Sequence, residues 1–317
     1  MTEFALPVFD DVLLAATRIA PYTEPTPVLR SRQLDALSGA RLTFKAEHLQ
    51  RGGAFKFRGA CNAVWALDAA TASRGVVTHS SGNHGAALAL AALTRGIPCH
   101  VVVPEGAVAA KLANIARHGA TLWRCAATTA AREEACAQVQ AQTGATLIHP
   151  YANAQVIAGQ GTATLELLGA CDGLDVMVVP VGGGGLASGT SLTLAALAPA
   201  CHLLLAEPAG AADTARSLAA GERRVDFVPE TICDGLRASI GVPNFELLRR
   251  ARAEVITVDD SQVVAAMRLA WQVLKQVIEP SSATVLAAVL AHPARFAGRR
   301  VGLVLSGGNV DLDALPW

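Results

Sequence analysis

Charged and aromatic residues are scarce in this sequence of 317 residues, at 16% and 4% of the composition. Lys plus Arg equals Asp plus Glu at 26 each, so there is no excess of positive charge for binding nucleic acid or an anionic membrane. Residues 176–206 contain no Asp, Glu, Lys or Arg, but Pro180, Pro199 and the glycines at 182–185 interrupt them. This pattern favours a strand, a loop and a helix over a membrane span.

Paired cysteines are also missing. The seven cysteines are scattered, their number is odd, and no two of them have the spacing of metal ligands. This argues against a disulfide framework and predicts buried thiols in a reducing compartment. The first residues, Met1–Phe4, carry an acid where a signal peptide carries basic residues, so we expect no export signal and a cytoplasmic protein.

The sequence does contain a regular alternation of short apolar runs and helical patterns. The apolar runs predict strands at 42–46, 76–78, 99–103, 121–124, 146–148, 176–179, 203–206, 255–258 and 301–305. Helices are predicted at 6–17, 31–37, 86–94, 109–118, 130–142, 160–168, 191–197, 261–277 and 283–290, and just after Lys56. The alternation is typical of an α/β fold with mostly parallel sheets covered by helices. The length suggests two domains, or one large domain with another inserted in it.

One lysine, Lys56, follows the glycine pair Gly52 and Gly53 and precedes a helical pattern. Glycines let the backbone pass close to a ligand. An amine among apolar neighbours such as Phe55 and Phe57 is less readily charged, and a lysine that attacks a carbonyl group needs this property. A lysine at the start of an amphipathic helix is also common at an ordinary surface position. The local pattern therefore leaves both interpretations open.

Two loops are distinctive because they follow predicted strands, where ligands bind in parallel sheets. His79–Gly85 combines hydroxyls, an amide, imidazoles and glycines before a helix, a setting that suits a carboxylate. Capping of that helix by Ser80, Ser81 or Asn83 is the alternative. Pro180–Leu186 contains four consecutive glycines before another helix, where their amides can hold a phosphate.

The glycine loop also supports a competing function. Gly182, Gly184 and Ala187 fit the turn of dinucleotide-binding proteins and Glu207 ends the next strand, so an NAD-binding protein is a second hypothesis. Glu207 and Asp213 could give a hard cation two oxygens and a backbone carbonyl. They could equally be a strand-end glutamate and an aspartate that caps a helix.

Three further stretches say less when taken alone. Asp234–Arg237 falls in a loop with no predicted structure, and Glu279–Ala283 is a proline turn that opens a helix, where the serines are candidate caps. Ser306 directly follows the last predicted strand, at the sheet edge where the two loops described above also lie. Its hydroxyl therefore points into the crevice at that edge, unless it is a capping serine.

Together these stretches resemble the fold-type II pyridoxal phosphate (PLP) enzymes, most closely the branch of serine/threonine dehydratases and serine racemases. The matching motifs occur in the family's order over nearly the whole chain: Phe55–Ala60, Ser80–Gly85, Val156–Thr162, Gly182–Leu186, Asp234–Leu236 and Ser306–Asn309. The resemblance implies two open, mostly parallel sheets covered by helices, as in tryptophan synthase β. It implies a large PLP-binding domain at 1–68 and 149–317, with a small domain at 69–148 inserted in it. The NAD hypothesis becomes much weaker.

The resemblance also implies a role for each candidate residue. Lys56 would bind PLP covalently and, once released, act as general base. The other cofactor contacts would be Phe55 and Asn83 at the ring, Gly182, Gly183, Gly184, Gly185 and Leu186 at the phosphate, and Ser306 at the pyridine nitrogen. Ser80, Asn83 and His84 would orient the substrate carboxylate.

The implied activity is that of a dehydratase, or ammonia-lyase, which converts an L-3-hydroxy amino acid of the L-threonine or L-serine type to a 2-oxo acid and ammonia. A hydroxyl at the pyridine nitrogen, unlike a carboxylate, does not keep that nitrogen protonated, which suits β-elimination better than transamination. Dehydration of L-threo-3-hydroxyaspartate is one alternative. A serine racemase with side elimination is the other, because the family's racemases use a serine at the position of Ser81 as a catalytic residue on the face opposite the lysine.

The resemblance further implies a divalent cation, Mg²⁺ or else Ca²⁺ or Mn²⁺, at Glu207, the Ala211 carbonyl and Asp213. Ala212 departs from the family pattern, since relatives often have a second aspartate there. We expect a homo-oligomer, a dimer or a tetramer, that acts on a small-molecule amino acid and has no nucleic acid or membrane partner.

Overall fold

The computed structural model describes residues 5–317, apart from the side chains of residues 110 and 129. Within this range the strands are β1 (Val28–Leu29), β2 (Arg41–Lys45), β3 (Val76–Thr78), β4 (Cys99–Pro104), β5 (Thr121–Cys125), β6 (Thr146–Leu147), β7 (Val176–Pro180), β8 (His202–Pro208), β9 (Glu254–Val258) and β10 (Arg300–Val304). The helices are α1 (Phe9–Ile19), α2 (Arg32–Ser38), α3 (Lys56–Trp65), α4 (Ala69–Ser73), α5 (Asn83–Arg95), α6 (Ala109–Ala116), α7 (Thr129–Thr143), α8 (Ala154–Gly169), α9 (Gly185–Leu197), α10 (Asp213–Ala220), α11 (Val242–Arg250), α12 (Asp260–Val273), α13 (Pro280–Ala291) and α14 (Pro293–Phe296).

The strands form two sheets. A six-stranded sheet has the order β1-β2-β10-β7-β8-β9, and its pairs are parallel except for the antiparallel edge pair β1–β2. A four-stranded sheet has the order β5-β4-β3-β6 and is parallel throughout. The α/β class and the mostly parallel sheets predicted from the sequence are confirmed.

Strand β7 shows why the larger sheet is covered on both faces. All five of its residues are buried, and neighbouring side chains point to opposite faces. Val176 and Val178 pack in one core with residues of α12 and α13, whereas Met177 and Val179 pack in another with Leu167 of α8. A strand buried on both faces needs a continuous apolar run, which is the pattern that predicted it.

Every predicted strand is present to within about two residues at each end, but the sequence analysis missed β1. This strand has only two residues, which pair with Phe44 and Lys45 of β2, and so short a run leaves no periodic signal. The four strands of the smaller sheet lie between Val76 and Leu147. The domain limits given above stay a prediction.

The sequence analysis argued against a disulfide framework and against a membrane span. All seven cysteines are unpaired, and five of them are buried. Among the described residues, no helix has both the length and the apolar character that crossing a membrane requires.

Candidate active site

Lys56 is the first residue of α3, and its side chain reaches the segment that follows the smaller sheet. Its Nζ donates a hydrogen bond to the carbonyl of Pro150, which lies just after β6, over 3.3 Å. It lies 4.9 Å from the centre of the Phe55 ring. Burial lowers the pKa of Lys56 to about 8, and the nearby Glu279 carboxylate opposes this shift only in part. At pH 7 about a tenth of this amine is therefore uncharged, far more than for an ordinary lysine.

The start of α3 is fixed by a buried cluster of charges. The Arg58 guanidinium donates to both oxygens of Glu47 at 2.7 and 2.9 Å, and to both oxygens of Glu166 at 2.6 and 2.8 Å. Arg58 and Glu47 are completely buried. Bidentate ion pairs of this kind fix the orientation of the arginine. The cluster therefore holds the first turn of α3, and with it the backbone of Lys56.

The end of β10 is tied to the lysine segment through the backbone. The amide of Phe55 donates to the Ser306 carbonyl at 3.0 Å, and the amide of Gly308 donates to the Gly53 carbonyl at 2.9 Å. Ser306 is buried, and within the described residues no helix follows β10. The interpretation of Ser306 as a capping serine is therefore wrong. Its position beside Phe55 follows from these contacts.

The glycine loop between β7 and α9 could not carry side chains. Gly184 has a φ of +92°, which favours glycine. A Cβ added to Gly183 would lie 2.3 Å from the Tyr151 ring. The first amides of α9 have no acceptor within their own helix. Gly182, Gly183, Gly184 and Gly185, with Leu186, thus bring backbone donors to a helix start, where an anion is favoured.

The loop Ser80–Gly85 follows β3 and leads into α5. The N-cap of α5 is Gly82, and no side chain forms a capping hydrogen bond there, so the capping interpretation of Ser80, Ser81 and Asn83 is wrong. Ser80, Ser81 and Asn83 are partly exposed. Their polar side-chain groups make no hydrogen bond to the first amides of α5.

His84 behaves differently from its neighbours in the loop. It is buried, its Nε2 lies 3.2 Å from the Ile148 carbonyl, and its Nδ1 has no hydrogen-bond partner. Burial, and then the charge of Lys56, hold the pKa of His84 well below its usual value, so the ring is neutral. The His84 side chain packs in the protein interior, and only its backbone amide is at the start of α5.

Glu279 is a residue at the site that the sequence analysis did not single out. Asn83 donates from Nδ2 to both Glu279 oxygens at 2.9 and 3.1 Å, and the Asn309 amide donates to the same carboxylate at 3.1 Å. Burial, followed by the negative charge of Asp234, raises the pKa of Glu279 to about 7. An acid directly before the proline that opens an apolar helix was the available signal.

The acid pair Glu207 and Asp213 lies behind the glycine loop. The two Glu207 oxygens accept from the amides of Thr214 and Ala215, each at 2.9 Å. It is thus Glu207, and not Asp213, that caps α10. Asp213 accepts from the amide of Ile240 at 2.8 Å, while its Oδ1 is buried without a partner.

Burial is also the main cause of the raised pKa values of this acid pair, about 7 for Glu207 and about 6 for Asp213. The orphaned oxygen of Asp213 fits a cation ligand. Among the described residues, however, no three His, Cys, Asp or Glu side chains come together as a metal-binding group. Ala212, where relatives often have a second aspartate, supplies no carboxylate to this group.

The structure brings most of the predicted residues to one cleft. The segments after β2 and β10 meet at Phe55, and the amide network of Asn83, Glu279 and Asn309 joins the smaller sheet's loop to the larger sheet's side. Lys56 reaches across the same cleft. Ile240 connects the acid pair to it, because its amide donates to Asp213 and its side chain packs against Gly184.

Known proteins with similar sequences or structures identify the family of this chain. The family model "Pyridoxal-phosphate dependent enzyme" matches residues 19–307, which decides against the NAD hypothesis. The chain is 48% identical to the beta-hydroxyaspartate dehydratase of Paracoccus denitrificans over 98% of this chain and 99% of the relative. It is also 48% identical to the serine racemase of Arabidopsis thaliana, over 95% of this chain and 92% of the relative.

The structure of maize serine racemase is similar as well. It superposes with a TM-score of 0.94 at 44% identity, over 97% of this chain and 95% of that one. The similarity of sequence and fold therefore extends over nearly the whole length. The chain belongs to the pyridoxal-phosphate dependent enzyme family and, within it, to the fold-type II lyases related to serine racemase.

Proposed function

We propose that this protein eliminates water from an L-3-hydroxy amino acid, with Lys56 as the base. The observation that carries the proposal is the Lys56 amine, which lies in the cleft with its pKa lowered to about 8. A base works best when its pKa is close to the working pH. Water elimination from such a substrate begins with the loss of the Cα proton, which needs a base of this kind.

The residues of the cleft fit PLP. Lys56 would bind it covalently, the amides of Gly182–Leu186 would hold its phosphate, Phe55 and Asn83 would contact its ring, and the Ser306 hydroxyl would meet the pyridine nitrogen. The left-handed backbone of Gly184 and the free amides at the start of α9 support the phosphate position. When bound, PLP withdraws electrons from Cα of an attached amino acid and makes its proton acidic.

The remaining chemistry belongs to the chain's own residues. Lys56 Nζ takes the Cα proton, the electron pair of that bond forms a Cα–Cβ double bond, and the Cβ–O bond breaks. The hydroxyl leaves as water with one proton, which balances the proton taken from Cα. The enamine product hydrolyses to a 2-oxo acid and ammonia. Ser80 and Asn83 orient the substrate carboxylate with their side chains. His84 does so with its backbone amide, because its ring is buried against Ile148.

Three substrates suit this chemistry: L-threonine, L-serine and L-threo-3-hydroxyaspartate. The similarity to a beta-hydroxyaspartate dehydratase favours the third. The test is the release of 2-oxo acid from each of the three by the PLP-loaded protein, with and without Mg²⁺. Release from at least one substrate is expected. Its absence from all three, in a protein whose absorption spectrum shows bound PLP, would refute the proposal.

Racemisation of serine is a second candidate, favoured by the similarity to serine racemases and by the position of Ser81. Ser81 is partly exposed and free of the helix start, so its hydroxyl could exchange a proton on the face opposite Lys56. The substitution Ser81→Ala should spare elimination from the L-substrate and abolish action on D-serine. Equal loss with both enantiomers would refute the role of Ser81.

A divalent cation, with Mg²⁺ as the first choice, is the third part of the proposal. Asp213 Oδ1, Glu207 and the Ala211 carbonyl would be its ligands, and the orphaned Asp213 oxygen supports this assignment. Because Ile240 links Asp213 to Gly184, a cation there would steady the glycine loop from behind. We further propose a cytoplasmic homo-oligomer, dimeric or tetrameric.

A further inference from the structure

A charged pair that the proposed mechanism does not use spans the mouth of the cleft. Lys111 lies on α6, the helix that connects β4 to β5 of the smaller sheet. Its Nζ pairs with the carboxylate of Asp234. Asp234 begins a short 3-10 turn, Asp234–Leu236, whose Leu236 backbone packs against Gly182. The ion pair therefore connects the helix beside one predicted substrate loop with the back of the glycine loop.

The Lys111 side chain also lines a small cavity next to the substrate loop. The cavity has a volume of about 30 Å³, and its described lining is Ser81, Gly82, Asn83, Lys111, Asn114 and Asn309. Within this lining, Lys111 is the one charged side chain. Its charge also acts on Glu279, the acid held by Asn83. A cation thus lies directly beside the loop predicted to hold the substrate carboxylate.

The pairing of Lys111 with Asp234 is easily exchanged. Both side chains are about two-fifths exposed, at 38% and 40%. Ion pairs with this exposure stabilise a protein little, so another carboxylate can replace that of Asp234 at low cost. In this pair Asp234 supplies the same chemical group that a dicarboxylic substrate would bring.

We infer that Lys111 binds the side-chain carboxylate of a 3-hydroxy dicarboxylic amino acid of the 3-hydroxyaspartate type, and that Asp234 holds Lys111 until such a substrate arrives. This inference rests on the proposed function, whose substrate class it narrows. Without Lys111, the second carboxylate would face the like charges of Asp234 and Glu279 without the cation that lines this cavity. L-serine and L-threonine have no such group and need no exchange.

A second, independent observation concerns the substrate hydroxyl. Asn114 lines the same cavity, and its Oδ1 is buried beside it without a hydrogen-bond partner. An acceptor left unpaired in a protein is unfavourable, so a donor is expected to reach it. A hydroxyl at Cβ, next to the carboxylate held by Lys111, is such a donor.

The experiment compares kcat/KM for L-threo-3-hydroxyaspartate and L-serine in Lys111→Met. Loss of a charge-assisted contact should lower kcat/KM for hydroxyaspartate by roughly 10- to 100-fold and change that for L-serine by less than about threefold. Lys111→Arg keeps the cation and should retain part of the activity. Arg117→Met is the matched control, since it removes an exposed cation at the end of the same helix, and should behave as wild type.

Asp234→Asn should change kcat/KM for hydroxyaspartate in the opposite direction. It removes the competing carboxylate, so it should raise kcat/KM for hydroxyaspartate by about two- to fivefold. Calorimetric titration with succinate, which has both carboxylates but no amino group, measures binding without turnover. Lys111→Met should bind succinate at least about tenfold more weakly than wild type.

The outcomes separate the two proposals. Wild-type protein that dehydrates L-serine or L-threonine but not hydroxyaspartate would overturn the inference and leave the proposed function standing. Equal losses of kcat/KM for both substrates in Lys111→Met would mean that the ion pair only holds α6 and the Asp234 turn together. This result also overturns the inference. Wild-type protein that acts on none of the three substrates contradicts the proposed function itself.

Discussion

Two lysines eleven positions apart along the chain, Lys45 and Lys56, illustrate how burial leads to different results. Lys45 is only 1% exposed, and its Nζ donates to the Thr26 carbonyl and to Glu166, both at 2.6 Å, with Glu47 at 3.9 Å. Lys56 has one carbonyl at 3.3 Å and an aromatic ring. The first lysine is enclosed by oxygen atoms, whereas the second is poorly solvated and poorly partnered.

The difference lies in what compensates for the loss of water. Burial lowers the pKa of Lys45 too, but hydrogen bonding to Glu166 and the charges of Glu47 and Glu166 counteract the shift. For Lys56 the one such counteracting charge is Glu279. A paired buried charge contributes to structure, and removing its partner is costly. A buried amine without such pairing is available for chemistry. Four substitutions or changes of condition test this contrast.

The largest effect is expected from Lys56→Ala. Because Lys56 is the proposed base and cofactor lysine, turnover should fall at least about 1,000-fold, which is within the range that a positioned base contributes. The unfolding temperature of the cofactor-free protein should not fall, since no ion pair is lost. Activity assays and thermal denaturation in parallel measure both. Full turnover in Lys56→Ala would show that the comparison of the two lysines carries no functional meaning.

The second change, Lys45→Met, should give the opposite result. It leaves the Thr26 carbonyl without its donor and reduces the positive charge near Glu47 and Glu166, so the free energy of unfolding should fall by about 3 kcal/mol. Turnover per folded molecule should change little. Urea denaturation measures the stability, and Lys275→Met, which removes an exposed lysine, is the control. An unchanged urea midpoint would contradict the structural role of Lys45.

The charge cluster around Lys45 also shows where sequence reasoning reaches its limit. Strands and the loops after them could be predicted because apolar runs and glycine-rich turns are local signals, as at Val76–Thr78 and Gly182–Gly185. The pairing of Arg58 with Glu166 joins residues 108 positions apart. No spacing rule connects two such positions, so the role of Arg58 as the anchor of α3 required the fold.

The same limit explains what was missed or misassigned at the site. Glu279 was treated as part of a proline turn because its partners, Asn83 and Asn309, come from distant loops. Asp213 was a candidate cap, yet Glu207 fills that position because the end of β8 directs its carboxylate to the start of α10. Side chains that meet only across a cleft leave no trace in a local pattern.

The third test changes pH and not the sequence. In the cofactor-free protein, Lys56 must be neutral to react with PLP, and its pKa is lowered from 10.5 to about 8. The rate of PLP rebinding should therefore fall about tenfold for each pH unit below 8 and level off above it. Stopped-flow absorbance of bound PLP measures the rate. A rate that still rises steeply between pH 9 and pH 10 would show that Lys56 titrates as an ordinary lysine.

The sign of this shift also predicts a stability effect. Between pH 8 and 10.5 the unfolded chain binds more protons at Lys56 than the folded chain does, so the contribution of Lys56 to stability rises with pH in that window. Replacement by methionine should thus stabilise the cofactor-free protein at pH 7 more than at pH 10.5. A stability difference independent of pH would contradict the perturbed pKa.

The smallest effect concerns a second contrast, between acids with and without a cation. Glu47 and Glu166 have Arg58 and Lys45 beside them, whereas Asp213 has a buried oxygen with no partner. If Mg²⁺, Ca²⁺ or Mn²⁺ fills that position, a cation at 100 times its dissociation constant should stabilise the folded protein by about 2.7 kcal/mol. This corresponds to a rise in unfolding temperature of roughly 5 °C.

Asp213→Asn isolates this effect. It should abolish the response to the cation and, without cation, unfold at the same or a higher temperature than wild type, because the buried negative charge is gone. Asp226→Asn makes the same acid-to-amide change at an exposed position and should keep the response. Scans with each cation and with a chelator measure both. A variant that still responds like wild type would place the cation elsewhere and leave the orphaned Asp213 oxygen as an unfavourable feature of the interior. Loss of the response in Asp213→Asn alone would instead show that the unpartnered carboxylate oxygen of Asp213 is kept for a cation, as the amine of Lys56, which forms no ion pair with a described residue, is kept for the cofactor.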